Sequence, residues 1–298
     1  MASTTGLHQA VSDVLGARVL RMTAVRGGDI NQAYKVEFEA GPPVFVKAHQ
    51  HAPPGMFAAE AAGLRWLAEA GAIKVPEVLA VSDSPSRPDA PAFLALAFVD
   101  KGKPGADFSE RLGNQLARLH LAGAAGFGWP KDNYIATLPQ HNASAEACTW
   151  AEFYRKRRLE PQLRRARERG WVSSQLGAQF DLLFARLEQL VGPPEPPARL
   201  HGDLWSGNHM CDEVGHPVVF DPAVYGGHRE VDLAMMRLFG GYPEAVFDAY
   251  HDTYPLLPGH RQRVALYQLY PLLVHVNLFQ GAYVSQLEAA VGSTLRGS

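Results

Sequence analysis

The chain has 298 residues, of which 47% are hydrophobic and 19% charged, and Lys+Arg 28 against Asp+Glu 30 leave a net charge of −2. That is chain enough for about two domains' worth of core. Its balance excludes a disordered or fibrous protein and supplies no overall field toward nucleic acid or an anionic membrane. Cys148 and Cys211 are the only cysteines and form no CxxC pair, which excludes a disulfide scaffold and a thiolate zinc cluster. The opening MASTTGLHQAVSDVLG has no basic stretch followed by an apolar one. The most apolar late run, LYQLYPLLVHVNLF, is short and broken by Pro271, His275 and Asn277. The expectation is a soluble, cytoplasmic enzyme with no membrane partner.

Taken in chain order, residues 17–25, 33–39 and 43–48 are β-branched or aromatic runs that predict strands, separated by the turn chemistry of Gly27-Gly28-Asp29 and Gly41-Pro42-Pro43. Residues 55–70 are rich in Ala, Leu and Glu and predict a helix. Strands follow at 77–82 and 92–99, with the loop SDSPSRPDAP between them. After Lys101-Gly102-Lys103-Pro104-Gly105 the period becomes helical, at 107–122, 150–169, 174–191, 229–239, 243–253 and 261–291, with one β insertion at 208–221. The expected architecture is α+β. A small N-terminal lobe, 1–100, has an antiparallel sheet with one helix; a large, mostly helical C-terminal lobe spans 101–298. Two lobes leave a cleft, where ligands prefer to sit.

The chemistry concentrates at LHGDLWSGNHMCDEVGHPVVFD, residues 200–221. The segment after Asn208 turns around Gly215 and returns to Asp221; as a hairpin it brings Asn208 and Asp221 to one open end. Asp203 lies five residues before Asn208, in a tight glycine-containing loop. Three oxygen-bearing side chains on one point suit Mg²⁺, which keeps waters and takes substrate phosphates as ligands. The order Asp-x4-Asn…Asp is that of a kinase base followed by two metal ligands.

The N-terminal half points the same way. Glu60 shares a helical stripe with Met56, Leu64 and Leu67, where a carboxylate is costly unless a cation meets it. Lys47 closes the apolar strand VFVKA, so the two are expected to pair, with Lys47 reaching the phosphates of ATP. Gly27 and Gly28 stand where a phosphate-covering hairpin belongs. The strand end at Ala97, Phe98 and Val99 is placed to offer backbone groups to an adenine.

Other features admit plainer readings. Asp232 opens a helix whose Met235, Met236 and Phe239 face inward, and it reads as a brace for the Asp203 loop that accepts backbone N–H bonds. Residues 150–169 carry eight Lys/Arg, which reads as a solvated face, or as docking for an anionic or protein substrate, rather than as a nucleic-acid site, because the whole chain is not basic. His209, Cys211 and His216 lack a fourth ligand at zinc spacing.

At HGDLWSGN, residues 201–208, the chain resembles the fructosamine/ketosamine-3-kinases, relatives of the aminoglycoside and choline kinases with a protein kinase-like fold. FGWPKDNYIATLPQHN, WAEFYRKRRLEPQL, FDPAVYGGHREVDLAMMRLFGGYP and LYQLYPLLVHVNLFQGAY extend the resemblance along most of the chain. The resemblance implies ATP-dependent phosphorylation of the 3-hydroxyl of a ketosamine, on a small amine or a protein lysine, as a deglycation repair. It implies Asp203 as the base, Asn208 and Asp221 as Mg²⁺ ligands, Lys47 and Glu60 as the phosphate-gripping pair, and Trp205 as a wall for the sugar. Asp29 stands in the phosphate loop where many members carry cysteine, so no thiol switch is expected there. The alternatives are an aminoglycoside or amino-alcohol kinase, which the few acidic residues in 220–243 and 266–283 disfavour, and a nucleotide-binding pseudokinase.

Overall fold

The computed structural model describes residues 4–25, 31–83, 89–143 and 148–297. In chain order it gives α1 (Thr4–Leu15), β1 (Val19–Ala24), β2 (Gln32–Phe38), β3 (Val44–His49), α2 (Met56–Glu69), β4 (Val78–Ser82) and β5 (Ala92–Ala97). There follow α3 (Phe108–Leu121), the strand pair β6 (Asn133–Ile135) and β7 (Leu138–Gln140), and α4 (Trp150–Phe153). A π-helical segment, Tyr154–Leu159, joins α4 to α5 (Glu160–Glu168), and α6 (Ser174–Leu190) comes next. The remainder holds β8 (Ala198–Leu200), β9 (His209–Cys211), β10 (Pro217–Val219), β11 (Tyr225–Gly227), α7 (Glu230–Leu238), α8 (Glu244–Thr253), α9 (His260–Phe279) and α10 (Ala282–Arg296).

The chain divides into two compact units. One is Met1–Phe108 with His209–Pro222; the other is Ser109–Asn208 with Ala223–Ser298. In the first, five strands form one sheet in the order β1-β2-β3-β5-β4, every neighbour antiparallel. Leu7 and Val11 of α1 join Val36, Val46 and Phe93 of the sheet in its core. Among the described residues the small unit therefore has two helices, not the single helix expected from sequence. The Leu7/Val11 stripe of α1 is short and mixed with Gly6 and polar residues, which blurs its period.

The β9–β10 hairpin also corrects the expected division at residue 100, which put it with the helical part. Gly102 donates its N–H to Cys211 at 2.9 Å and Val219 donates to the Lys74 carbonyl at 3.0 Å. Asp212, buried at the turn, accepts from Val214 and His216 N–H groups and takes Lys74 Nζ at 2.7 Å. A Cβ on Gly102 would sit 2.1 Å from the Asp212 carbonyl, so only glycine lets these backbones approach.

The second unit is built on helices, with Tyr154, Tyr225, Tyr267 and Tyr270 buried among Leu and Val side chains. The 150–169 region starts at a capping box: Thr149 Oγ1 accepts from the Glu152 N–H while Glu152 accepts from the Thr149 N–H. The expected single helix 261–291 is two. Pro271 is tolerated inside α9, and the break comes at Gln280-Gly281, where both residues take positive φ. Among the described residues no helix is long and apolar enough to cross a membrane.

Candidate active site

Lys47 sits on β3, a central strand whose partners are Ala33 on β2 and Leu94 on β5. Its side chain is only 9% exposed, so its ammonium must find anions inside the protein. Glu60 supplies two contacts, Oε1 at 3.0 Å and Oε2 at 2.9 Å, and Asp221 Oδ1 supplies a third at 2.9 Å. Burial alone would lower the Lys47 pKa, but the Asp221 and Glu60 carboxylates overcome it and raise the value. For Glu60 the balance is reversed. Burial raises its carboxyl most; the Lys47 charge pulls it back, and the neighbouring Asp221 carboxylate pushes it up again, to about 7.

Local structure explains how these groups are held. Glu60 lies one turn into α2, which starts from Gly55 in the left-handed region at φ 74° with no side-chain cap of its own. Asp83 does that work from a distant segment, accepting the N–H groups of Phe57 at 3.0 Å and Ala58 at 2.7 Å. Asp221 follows β10 and has φ 57°, a conformation that aspartate tolerates better than most residues and that is found often at functional sites.

In the second unit the HGDLWSGN loop leaves β8, where Leu200 pairs with Tyr225 of β11. Asp232, fully buried, accepts the His201 N–H at 2.8 Å and the Gly202 N–H at 2.9 Å, and faces His120 Nε2 at 3.2 Å. Burial works to raise its pKa, but His120, the positive field of His201 and the Gly202 N–H hold it below the ordinary carboxylate value. The brace read from sequence is thus present. Gly202 has φ 84°, and a Cβ there would lie 2.0 Å from the Ala223 carbonyl.

Asp203 stands next in the loop, half-buried. Asn208 donates its amide to the Asp203 carbonyl at 2.8 Å and to the Asp203 carboxylate Oδ2 at 3.2 Å, which fixes the two side chains together. Trp205 is 39% exposed at the rim of the loop. Its ring sits edge-on to Phe239 at 6.3 Å, and its carbonyl accepts the Tyr242 hydroxyl at 3.0 Å. Phe239 in turn touches His275, and His275 touches Tyr283, at centroid distances of 4.8 and 4.9 Å. A Cβ on Gly207 would strike the Trp205 ring at 2.2 Å.

Lys47, Glu60, Asp203, Trp205, Asn208 and Asp221 carry a pattern in the sequence that points to a site. Asp83, the direct Lys47–Asp221 pair and the aromatic row Phe239–His275–Tyr283 carry none. Ala97 ends β5, with its N–H donated to the Glu77 carbonyl at 2.8 Å, and Phe98 lies under Lys35 Nζ at 4.4 Å. Gly27 and Gly28 lie outside the described residues.

The comparisons agree along the whole chain. The fructosamine kinase family model matches residues 4–297. The chain belongs to the fructosamine kinase family. A protein of Synechocystis named probable ketoamine kinase is 39% identical over 97% of this chain and 96% of its own length. A chloroplastic protein-ribulosamine 3-kinase of Arabidopsis thaliana is 34% identical over 94% and 84%. A Thermobifida fusca structure assigned as a fructosamine-3-kinase superposes with a TM-score of 0.88 at 41% identity, covering 99% of this chain and 100% of that one. An aminoglycoside phosphotransferase solved with ADP and hygromycin B shares the fold, with a TM-score of 0.64 at 18% identity over 97% and 98% of the two chains. This fructosamine kinase family member therefore has the α+β, protein kinase-like fold and is a phosphotransferase.

Proposed function

We propose that the chain transfers the γ-phosphoryl of ATP to the 3-hydroxyl of a ketosamine, the rearranged adduct of a sugar and an amine. The observation that carries the phosphoryl-transfer part is the buried Lys47 ammonium gripped by both oxygens of Glu60. A cation fixed this way is a preformed seat for the phosphate tail of a nucleotide. Family membership carries the choice of acceptor.

Phosphoryl transfer asks a protein for position and charge more than for covalent chemistry. In this reading Asp203 orients the sugar hydroxyl and takes its proton at the carboxylate, while the Asn208 amide keeps that carboxylate in place. Trp205 offers a flat wall to the sugar. Backbone groups of Ala97, Phe98 and Val99 meet the adenine. Asn208 and Asp221 are hard oxygen donors, and with the Asn208 NH₂ given to Asp203 it is Oδ1 that has ligand chemistry; the set fits Mg²⁺. Among the described residues no cluster of three His, Cys, Asp or Glu side chains could hold a metal alone, and an ion bound partly through phosphates and water needs none. When bound with ATP, Mg²⁺ supplies charge neutralisation on the phosphate oxygens.

The 3-position has a chemical logic. A phosphate at C3 is β to the amine-bearing C1. Loss of a C1 proton gives the C1–C2 enaminol, whose electrons expel inorganic phosphate from C3. Water then hydrolyses the resulting C1 imine and frees the amine. The reading is therefore of a deglycation activity in the cytoplasm, on small or protein-borne ketosamines. Turnover of ribulosyl-lysine with ATP and Mg²⁺ tests it. The wild type should form a 3-phosphate, and Asp203→Ala should form none while still binding ATP. Undiminished turnover in the variant would remove Asp203 from its role, and a phosphate found on another hydroxyl would contradict the acceptor assignment.

A further inference from the structure

The basic run at 150–169, which phosphoryl transfer does not use, surrounds a cavity. Its volume is about 590 Å³, within the range of small-molecule sites. Lys156, Arg157, Arg164, Arg165 and Arg169 line it, and Glu168 is the one carboxylate among the described lining residues. The geometry has a local cause. The π-helical segment Tyr154–Leu159 widens one turn of the helix, and α5 restarts with Pro161 in its first turn. As a result the adjacent Lys156 and Arg157 both reach the wall that Arg164 and Arg165 share.

Nearby acids offset this cluster only in part. Glu160 is taken by Arg155 at 2.7 Å, Glu152 by Lys156 at 3.4 Å, and Asp181 by Arg167 at 3.5 Å. Arg169 gives one N–H to the Asn277 carbonyl at 2.8 Å. Among the described residues no ion pair involves Arg157, Arg164 or Arg165, and the buried Arg165 Nε has no hydrogen-bond partner. With Lys156 shared with Glu152 and Glu168 the one acid in the lining, the four arginines leave an excess of positive charge that an entering anion relieves. Their planar forks match phosphate oxygens in pairs. The cavity is far larger than one phosphate group fills. Its concave form and the chain's net charge of −2 favour a small ligand over a nucleic-acid strand.

We infer that this cavity binds a small anion carrying two or more phosphate groups, using none of the residues assigned to phosphoryl transfer. The test is calorimetric titration of the full chain with inorganic tripolyphosphate in Mg²⁺-free buffer. The wild type should bind it more tightly than inorganic phosphate. Arg157→Ala/Arg165→Ala should bind at least about tenfold more weakly, the loss expected for charge-assisted hydrogen bonds, with the KM for ATP unchanged. Arg157→Glu, at a half-buried position with no ion pair to break, should show the same loss with an unaltered melting curve and answers for any misfolding of the double variant. An arginine variant that titrates like the wild type would place the binding elsewhere and overturn the proposal. So would a wild type that gives no heat, that binds phosphate as well as tripolyphosphate, or that binds only a single-stranded oligonucleotide.

Discussion

Lys47 is the buried cation on which the Glu60 and Asp221 carboxylates converge. Removing it leaves Glu60 and Asp221 facing each other without a cation, and breaking a buried ion pair in this way costs about 3–5 kcal/mol. Lys47→Ala should therefore lower the melting temperature sharply, as differential scanning calorimetry would register, and abolish turnover. Glu60→Gln is milder, because Asp221 still holds the ammonium; kcat/KM should fall about 10²–10³-fold, the usual loss for one preorganised electrostatic contact. Glu60 also sets a pH dependence. The Glu60 pKa in the folded nucleotide-free protein is raised, to about 7, above its unfolded value of about 4.5, so the folded state holds the extra proton between those limits. Stability contributed at this site then declines as pH rises from about 4.5 to about 7. Melting curves of wild type minus Glu60→Gln should show that decline, and a flat difference would assign the shift elsewhere. Gly202 offers a sharper residue-scale test. Gly202→Ala forces a Cβ onto the Ala223 carbonyl at positive φ, and turnover should be lost while unit 1 features such as the Lys47 pair are retained.

At the scale of elements, the HGDLWSGN loop is held by the helix that begins at Glu230 as well as by its own Gly202 and Asn208. Asp232 of α7 holds two successive loop N–H groups, each a hydrogen bond to a charged acceptor of about 1.5–3 kcal/mol. Asp232→Asn keeps the shape but loses the charge, so stability and kcat should both drop while the KM for ATP changes little. The sign with pH follows from the depressed carboxyl: its contribution is complete above the unfolded value of about 3.9 and is lost as pH falls through the lower folded value. The gap between wild type and Asp232→Asn should stay constant from neutral pH down to about pH 4 and close below it. This brace was legible in the sequence, because a carboxylate at a helix start on an apolar face has few other partners. The Lys47–Glu60 pair was legible for the same reason. The Lys47–Asp221 contact was not, since nothing local to β3 points to a residue so far along the chain. The π-helical turn left no trace either; its composition is that of an ordinary basic helix. Asp83 escaped because a carboxylate in a loop carries no pattern that says which helix it caps.

At the scale of the molecule, the change from strand to helix near residue 100 and the hairpin at 208–221 were both visible as changes of period. What the pattern could not give was the unit to which the hairpin belongs, because that depends on Gly102, Lys74 and Asp212 meeting through tertiary contacts. Asp212→Ala should loosen this attachment. It removes a buried acceptor of two N–H groups and the partner of Lys74, and limited proteolysis at the Val214–Gly215 turn should speed up. The central claim is that the whole arrangement serves a ketosamine acceptor. ATP consumption measured against fructosyl-, ribulosyl- and erythrulosyl-lysine, kanamycin, choline and no acceptor tests it most directly. Turnover confined to the ketosamines is the predicted result. Turnover on kanamycin or choline in their place, or none on any acceptor by a chain that still binds ATP, would contradict it.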